Sequence, residues 1–257
     1  MIRLLFFLIF VSCDFTPPLT REILKAQNFI TQQKYNDAAN EYIKILKKKP
    51  PTTLEVKIHY QLGDLYSIYL DEYKSALHHY RKVLFISKDP LWLVKTQERL
   101  GEVYFNFLKN YKESAGLYLQ LSSFKPILNN HETYLFRLSL SYYHLREMSE
   151  AIKLFNKISA NKNSRYSTRA IYYSALCYFE QKKWKEAITY LEKYIRLEKR
   201  KDYVIEAKFL MANSYESMEL LKNAYNIYYS ILGDYPNTQV IQNRLNGIYS
   251  RRIARKR

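Results

Sequence analysis

The chain has 257 residues, 47% of them apolar, so it has room for one large domain or two small ones and is too hydrophobic to be disordered. Its 26 Tyr stand against only 5 Gly and 7 Pro, which excludes a turn-rich β-sandwich or barrel and predicts helices joined by brief turns. Lys+Arg 41 against Asp+Glu 24 gives a formal charge of +17. That balance points to an acidic partner (nucleic acid, anionic lipid or an acidic protein surface), although an A/T-rich coding sequence produces a similar bias.

The chain opens Met1-Ile2-Arg3, runs apolar from Leu4 through Val11, and reaches Ser12-Cys13-Asp14. One cation, a short apolar stretch and small residues before a cut site predict a secretory signal peptide over 1–12. The stretch is well short of the ~20 apolar residues that span a bilayer. The alternative is an ordinary hydrophobic N-terminal helix. Phe10-Val11-Ser12-Cys13 resembles the lipobox of bacterial lipoproteins, with Phe10 where Leu is usual. The resemblance implies lipidation of Cys13, an anchor worth ~0.8 kcal/mol per buried methylene. The one other cysteine, Cys177, lies in an apolar helical stretch and is expected to be buried and inert. Residues 13–20, with Pro17 and Pro18, are expected to form the lipidated cysteine and a short stiff tether.

From residue 21 to 236 one pattern recurs. A small residue is followed four positions later by a ring or Leu: Ala38/Tyr42, Ala76/Tyr80, Ser114/Tyr118, Ala151/Phe155, Ala187/Leu191 and Ala224/Tyr228. The small residues are 38, 38, 37, 36 and 37 positions apart. Three residues before each stands a bulky one: Tyr35, Tyr73, Tyr111, Met148, Trp184 and Leu221. About a dozen residues earlier lies a second small-then-aromatic pair: Ala26/Phe29, Gly63/Tyr66, Gly101/Tyr104, Ser139/Tyr142, Ala175/Tyr178 and Ala212/Tyr215. Small residues let two helices approach closely, and the ring one turn on fills the adjoining gap. A pair this short cannot bury its apolar face alone, so the pairs must stack.

Leu62-Gly63-Asp64-Leu65-Tyr66 and Leu100-Gly101-Glu102-Val103-Tyr104 resemble the first helix of the tetratricopeptide repeat, and Tyr35-Asn36-Asp37-Ala38 and Trp184-Lys185-Glu186-Ala187 its second. Pro50, Pro126 and Pro236 stand where helix pairs end. The resemblance implies an all-α, right-handed superhelical solenoid of six helix pairs over 21–236. The family period is about 34 residues. The additional residues are expected between helix pairs, with one more in the turns at Asp71-Glu72 and Lys109-Asn110. Residues 237–257 are expected to form a capping helix over Val240–Tyr249 and a frayed basic tail carrying Arg251, Arg252, Arg255, Lys256 and Arg257.

Positions seven apart on the first helices of repeats four to six suggest an aromatic groove of Phe136, Tyr143, Tyr172, Phe179 and Phe209, with Arg169 nearby, able to hold a peptide. The alternative is that these rings pack against adjacent helices. Gln27, Asp64, Glu102, Leu140, Leu176 and Asn213 do not form the Lys/Asn carboxylate clamp of some tetratricopeptide domains. Nor do His59, His78, His79, His131 and His144 show a paired metal spacing. Lys47-Lys48-Lys49 and Lys199-Arg200-Lys201 fall at the ends of second helices, where the dipole favours cations. No enzyme activity, cofactor, metal or small-molecule substrate is expected, and nucleic-acid binding is disfavoured.

Lipobox, tether and helical repeats together resemble the tetratricopeptide envelope lipoproteins of Gram-negative bacteria, of the BamD-like and Tol-Pal-associated kinds. Asp234-Tyr235-Pro236-Asn237-Thr238 before a helix is similar to their repeat ends. The resemblance implies a scaffold that binds protein partners at the periplasmic face of a membrane, the outer favoured over the inner, which Asp14 after the lipid Cys keeps open. The type IV pilotin lipoproteins, a soluble intracellular adaptor, and a peptidoglycan- or nucleic-acid-binding protein acting through charge are the competing expectations.

Overall fold

The computed structural model describes residues 18–255. The signal segment, Cys13, most of the tether and the last two basic residues lie outside the described residues. The chain divides into two compact units, residues 1–99 and 100–257, with the division inside one helix.

The first unit holds helices α1 (Pro18–Thr31), α2 (Tyr35–Lys47), α3 (Thr52–Asp64), α4 (Tyr73–Ile86) and the start of α5 (Pro90–Glu102). Helix α1 begins at Pro18, three residues ahead of the expected array, with proline at the first helical position where its missing N–H costs nothing. Ala26, Ala38, Tyr42, Ile45, Ile58, Leu62 and Leu65 form one core shared by α1, α2 and α3.

The second unit contains α6 (Tyr111–Ser123), α7 (His131–His144), α8 (Met148–Ala160), α9 (Ser167–Glu180), α10 (Trp184–Leu197), α11 (Lys201–Ser217), α12 (Leu221–Ile231) and α13 (Thr238–Ala254). From α6 to α13 each helix packs on the next. Ala224, Tyr228, Ile231, Ile241, Leu245 and Ile248 join α12 to α13 in the terminal core. Among the described residues there is no strand, and every recurring sequence position has a fixed structural role.

The bulky residues Tyr35, Tyr73, Tyr111, Met148, Trp184 and Leu221 each begin a second helix. Three residues on, Ala38, Ala76, Ser114, Ala151, Ala187 and Ala224 are all 0% exposed. The rings and Leu one turn further, from Tyr42 to Tyr228, are buried with them. Five residues before each small residue the backbone turns left-handed, at Gln33, Asp71, Lys109, Arg146, Lys182 and Glu219. This turn closes the first helix. At Lys182, for example, the N–H of Lys183 donates to the carbonyl of Tyr178 and that of Lys182 to the carbonyl of Phe179.

Two repeats end their first helix differently. Leu65–Tyr69 and Val103–Phe107 are π-helical, with the N–H of Leu70 donating to Leu65 O at 3.2 Å and that of Leu108 to Val103 O at 3.1 Å. The residue expected as a longer turn at Asp71-Glu72 and Lys109-Asn110 is therefore absorbed as a wider helical turn. In these same repeats the small residue is glycine. A Cβ on Gly63 would stand 2.6 Å from Cδ1 of Tyr80, and one on Gly101 would stand 2.9 Å from Cζ of Tyr118.

Residues 251–254, expected in a frayed tail, continue the last helix. Helix α13 runs to Ala254, and Arg251 bonds Glu216 Oε1 at 2.9 Å and also reaches Glu219, which Arg255 contacts at 2.6 Å. These pairs join residues more than thirty positions apart, beyond any local pattern.

Candidate functional site

The expected groove is built only in part. Phe136 is 3% exposed, stacked at 4.5 Å on Tyr166 and edge-on to Phe155 and Tyr173, so it is core and lines no groove. The guanidinium of Arg169 lies 5.0 Å above its ring, as a lid. Tyr143 is half-buried against His144 and Tyr173. The remaining positions fall into two separate cavities of the second unit. Arg169 and Tyr172 line one, and Phe179 and Phe209 line another.

The first is a cavity of about 370 Å³ lined by Arg169, Tyr172, Tyr173, Tyr194, Arg200 and Tyr203. Two guanidiniums and four phenols make its wall. It adjoins, through Tyr172 and Tyr203, a cleft of about 800 Å³ that adds Lys201, Asp202, Glu206 and Asp234. Helix α9 supplies Arg169 and Tyr172, one turn apart on one face. Tyr194 of α10 meets Tyr172 at 4.9 Å and holds its ring.

Arg200, Tyr194 and Tyr203 escaped the sequence reading because a turn brings them in. Glu198 leaves α10 in extended conformation. Its carboxylate accepts from the backbone N–H of Lys199 and Arg200 at 3.0 and 3.1 Å, from Arg200 Nε at 3.0 Å and Nη2 at 2.9 Å, and from the Tyr194 hydroxyl at 3.1 Å. Hydrogen bonds from the Arg200 guanidinium, above all, hold Glu198 down at about 2. Pinned in this way, Arg200 stacks on Tyr203 at 3.8 Å. The basic triplet therefore does not decorate a helix C-terminus, since Lys201 begins α11 and bonds Asp234 at 2.6 Å.

Burial, and then the Glu206 carboxylate, push the Tyr172 phenol up to about 12, so at neutral pH it is a protonated donor. Arg169 forms no ion pair among the described residues, and neither do Asp202 and Glu206. The cavity thus offers a cation without an ion pair at Arg169, the adjoining cleft carboxylates without one at Asp202 and Glu206, and Tyr172 and Tyr203 line both. The other cavity, about 480 Å³, is occupied by charge already paired: Glu216 meets Arg251 at 2.9 Å and Arg244 at 3.6 Å between Phe179 and Phe209. Cys177 is fully buried, and burial raises its thiol to about 12, which leaves it unreactive at neutral pH.

Among the described residues no three His, Cys, Asp or Glu side chains gather as a metal requires, and no helix is long and apolar enough to cross a membrane. The helix pairs and their register give the chain the fold of the tetratricopeptide-repeat solenoids. The family model of anaphase-promoting complex, cyclosome, subunit 3 matches residues 108–194. No curated protein matches the sequence. Solved structures with this fold include PilW, a type IV pilus biogenesis factor, with 15% identity and TM-score 0.55 over 88% of this chain and 98% of that one. PilF of Pseudomonas aeruginosa is similar, with 16% identity and TM-score 0.52 over 88% and 95%. A tetratricopeptide repeat protein of Parabacteroides merdae gives 16% identity and TM-score 0.57 over 90% and 98%.

Proposed function

We propose that this protein is a lipid-anchored docking scaffold of the bacterial cell envelope, held to the membrane through Cys13 and binding an extended segment of a partner protein in the Tyr172–Tyr203 cleft. The observation that carries the reading is the make-up of that cleft: an available guanidinium at Arg169, rings at Tyr172 and Tyr203, and available carboxylates at Asp202 and Glu206. Such a site suits a segment with an acidic and a basic side chain flanking an apolar one, because each charge finds its opposite and the middle loses water against aromatic faces. The pre-set positions of Arg200 and Tyr194 reduce the entropy lost on binding.

The layout of lipobox, tether and repeats favours a periplasm-facing site on the outer membrane and a role in outer-membrane protein assembly, as in the BamD-like lipoproteins. A second reading, service to a type IV pilus or secretin as a pilotin-like lipoprotein, is favoured by the likeness to PilW and PilF over nearly their whole lengths.

Two experiments test the proposal. Labelled palmitate should enter the chain and be lost on Cys13→Ser; incorporation of none into the parent would return the chain to the class of soluble adaptors. Affinity purification from envelope fractions should retain one partner with the parent and with Tyr229→Ala, and lose it by tenfold or more with Arg169→Ala or Tyr203→Ala, in line with ~1.4 kcal/mol or more at an interface anchor. Equal retention by all four proteins would remove the cleft from the account.

A further inference from the structure

Helix α4, in the first unit, carries no acidic residue in its fourteen positions. Its buried side is Ala76, Tyr80 and Val83. Opposite these, Lys74, His78, Arg81, Lys82 and Phe85 share a cavity of about 420 Å³. At 100° per residue these five fall within about 100° of arc, one straight stripe with Phe85 near its middle. Phe85 is 87% exposed, more than any other exposed large hydrophobic side chain described. Lys74 and Lys82 form no ion pair among the described residues.

The carboxylates bordering the stripe are engaged locally. Asp71 accepts from Tyr73 at 2.9 Å, Glu72 from Ser75 at 3.1 Å, and Asp89 from the N–H of Leu91 at 2.9 Å. Burial, with His78 and Lys82 adding to it, holds the buried His59 imidazole behind this face down at about 4.

A ring so exposed beside two lysines that form no ion pair among the described residues has two uses, insertion into a lipid surface or into a pocket on an acidic protein. The form of the face favours the lipid. The cations flank Phe85 along one helix face, and a ring this exposed needs a matching pocket on a protein, whereas the headgroup layer accepts it anywhere. We infer that the Lys74–Phe85 stripe of α4 docks on an anionic membrane surface, with Phe85 entering the headgroup layer and Lys74 and Lys82 meeting lipid phosphates. Its consequence for a scaffold is a fixed orientation on the bilayer. The inference does not depend on the cleft.

The test is vesicle co-sedimentation of the full chain in a Cys13→Ser background, so that neither acyl chains nor the N-terminal apolar segment contributes to differences between variants. On phosphatidylcholine vesicles containing phosphatidylglycerol, Lys74→Glu/Lys82→Glu should bind at least roughly 25-fold more weakly than the parent, taking about fivefold per removed cation. Phe85→Ala should lose severalfold, and on pure phosphatidylcholine the charge variant should match the parent. Soluble polyglutamate distinguishes the other source, since Phe85→Ala should bind it as the parent does. Far-UV circular dichroism of each variant confirms the fold. Unchanged binding of the charge variant to anionic vesicles overturns the inference, and so does a Phe85→Ala loss on polyglutamate equal to that on vesicles, which would assign the stripe to an acidic protein.

Discussion

The second and third repeats solve the packing problem differently from the fourth to sixth. In the second, glycine at position 63 lets the Tyr80 ring lie against the backbone, and the helix then widens into a π turn before its left-handed residue, Asp71. In the fifth, Ala175 occupies the same place opposite Leu191, and the helix runs regularly to the left-handed Lys182. Both keep five residues from the left-handed position to the buried small residue of the second helix. What must stay constant is that register. The first helix can take in an additional residue as long as its end is reset by the turn.

The contrast is broken most forcefully at Gly63. Gly63→Ala should destabilise the protein by about 2–3 kcal/mol, since the Tyr80 ring it would strike is 0% exposed and has nowhere to move. Ala175→Gly should cost less, about 1.5–2 kcal/mol, the helix propensity difference plus one buried methyl. Urea unfolding midpoints compare the two, and equal losses would mean that the glycine repeats are no more tightly packed than the alanine ones.

The second repeat also holds a histidine pair, His59 and His79, with Nδ1 atoms 2.9 Å apart. Burial, before any neighbouring charge, lowers both from the ordinary 6.5 to about 4. Between those values the unfolded chain binds protons that the folded chain refuses, so stability is complete above pH 6.5 and falls on acidification towards pH 4. The expected slope is on the order of 1 kcal/mol per pH unit. Unfolding midpoints measured from pH 7 to pH 4.5 check it, and His59→Phe/His79→Phe should flatten the profile.

At the other end of the chain, Arg251→Ala should loosen α13 by about 1 kcal/mol, because Glu216, largely buried, would lose its best cation. Hydrogen exchange in α13 should then accelerate about fivefold, with α9 unaffected. The smallest effect should come from the turns. Lys182→Gly should stabilise by about 0.5–1 kcal/mol by relieving a left-handed lysine, and Asp71→Gly by less, since aspartate tolerates that conformation better. Differential scanning calorimetry resolves the pair.

The parts of the fold set by neighbouring residues could be read from the sequence. A small residue with a ring four later and a bulky residue three earlier marks the start and the seam of each second helix, because those three side chains share one helix face. Features set by groups that meet only after folding could not be read. The π turns replace what looked like longer loops, since spacing counts residues and not hydrogen bonds. Phe136 shares its helical register with groove positions, yet Tyr166 and Tyr173 close over it. Arg169 and Tyr172 were legible from spacing on one helix, whereas Arg200 and Tyr203 enter the cleft through the Glu198 turn, whose hydrogen bonds no periodicity announces.

A photocrosslinking amino acid placed at Tyr172, at Tyr203 and, as a control, at Tyr229 on the second-helix face would test the docking claim most directly. In living cells the first two positions should capture the same protein through one contiguous segment, while Tyr229, although 64% exposed, captures none of it. Capture of that protein from Tyr229 with nothing from Tyr172 and Tyr203 would contradict the account.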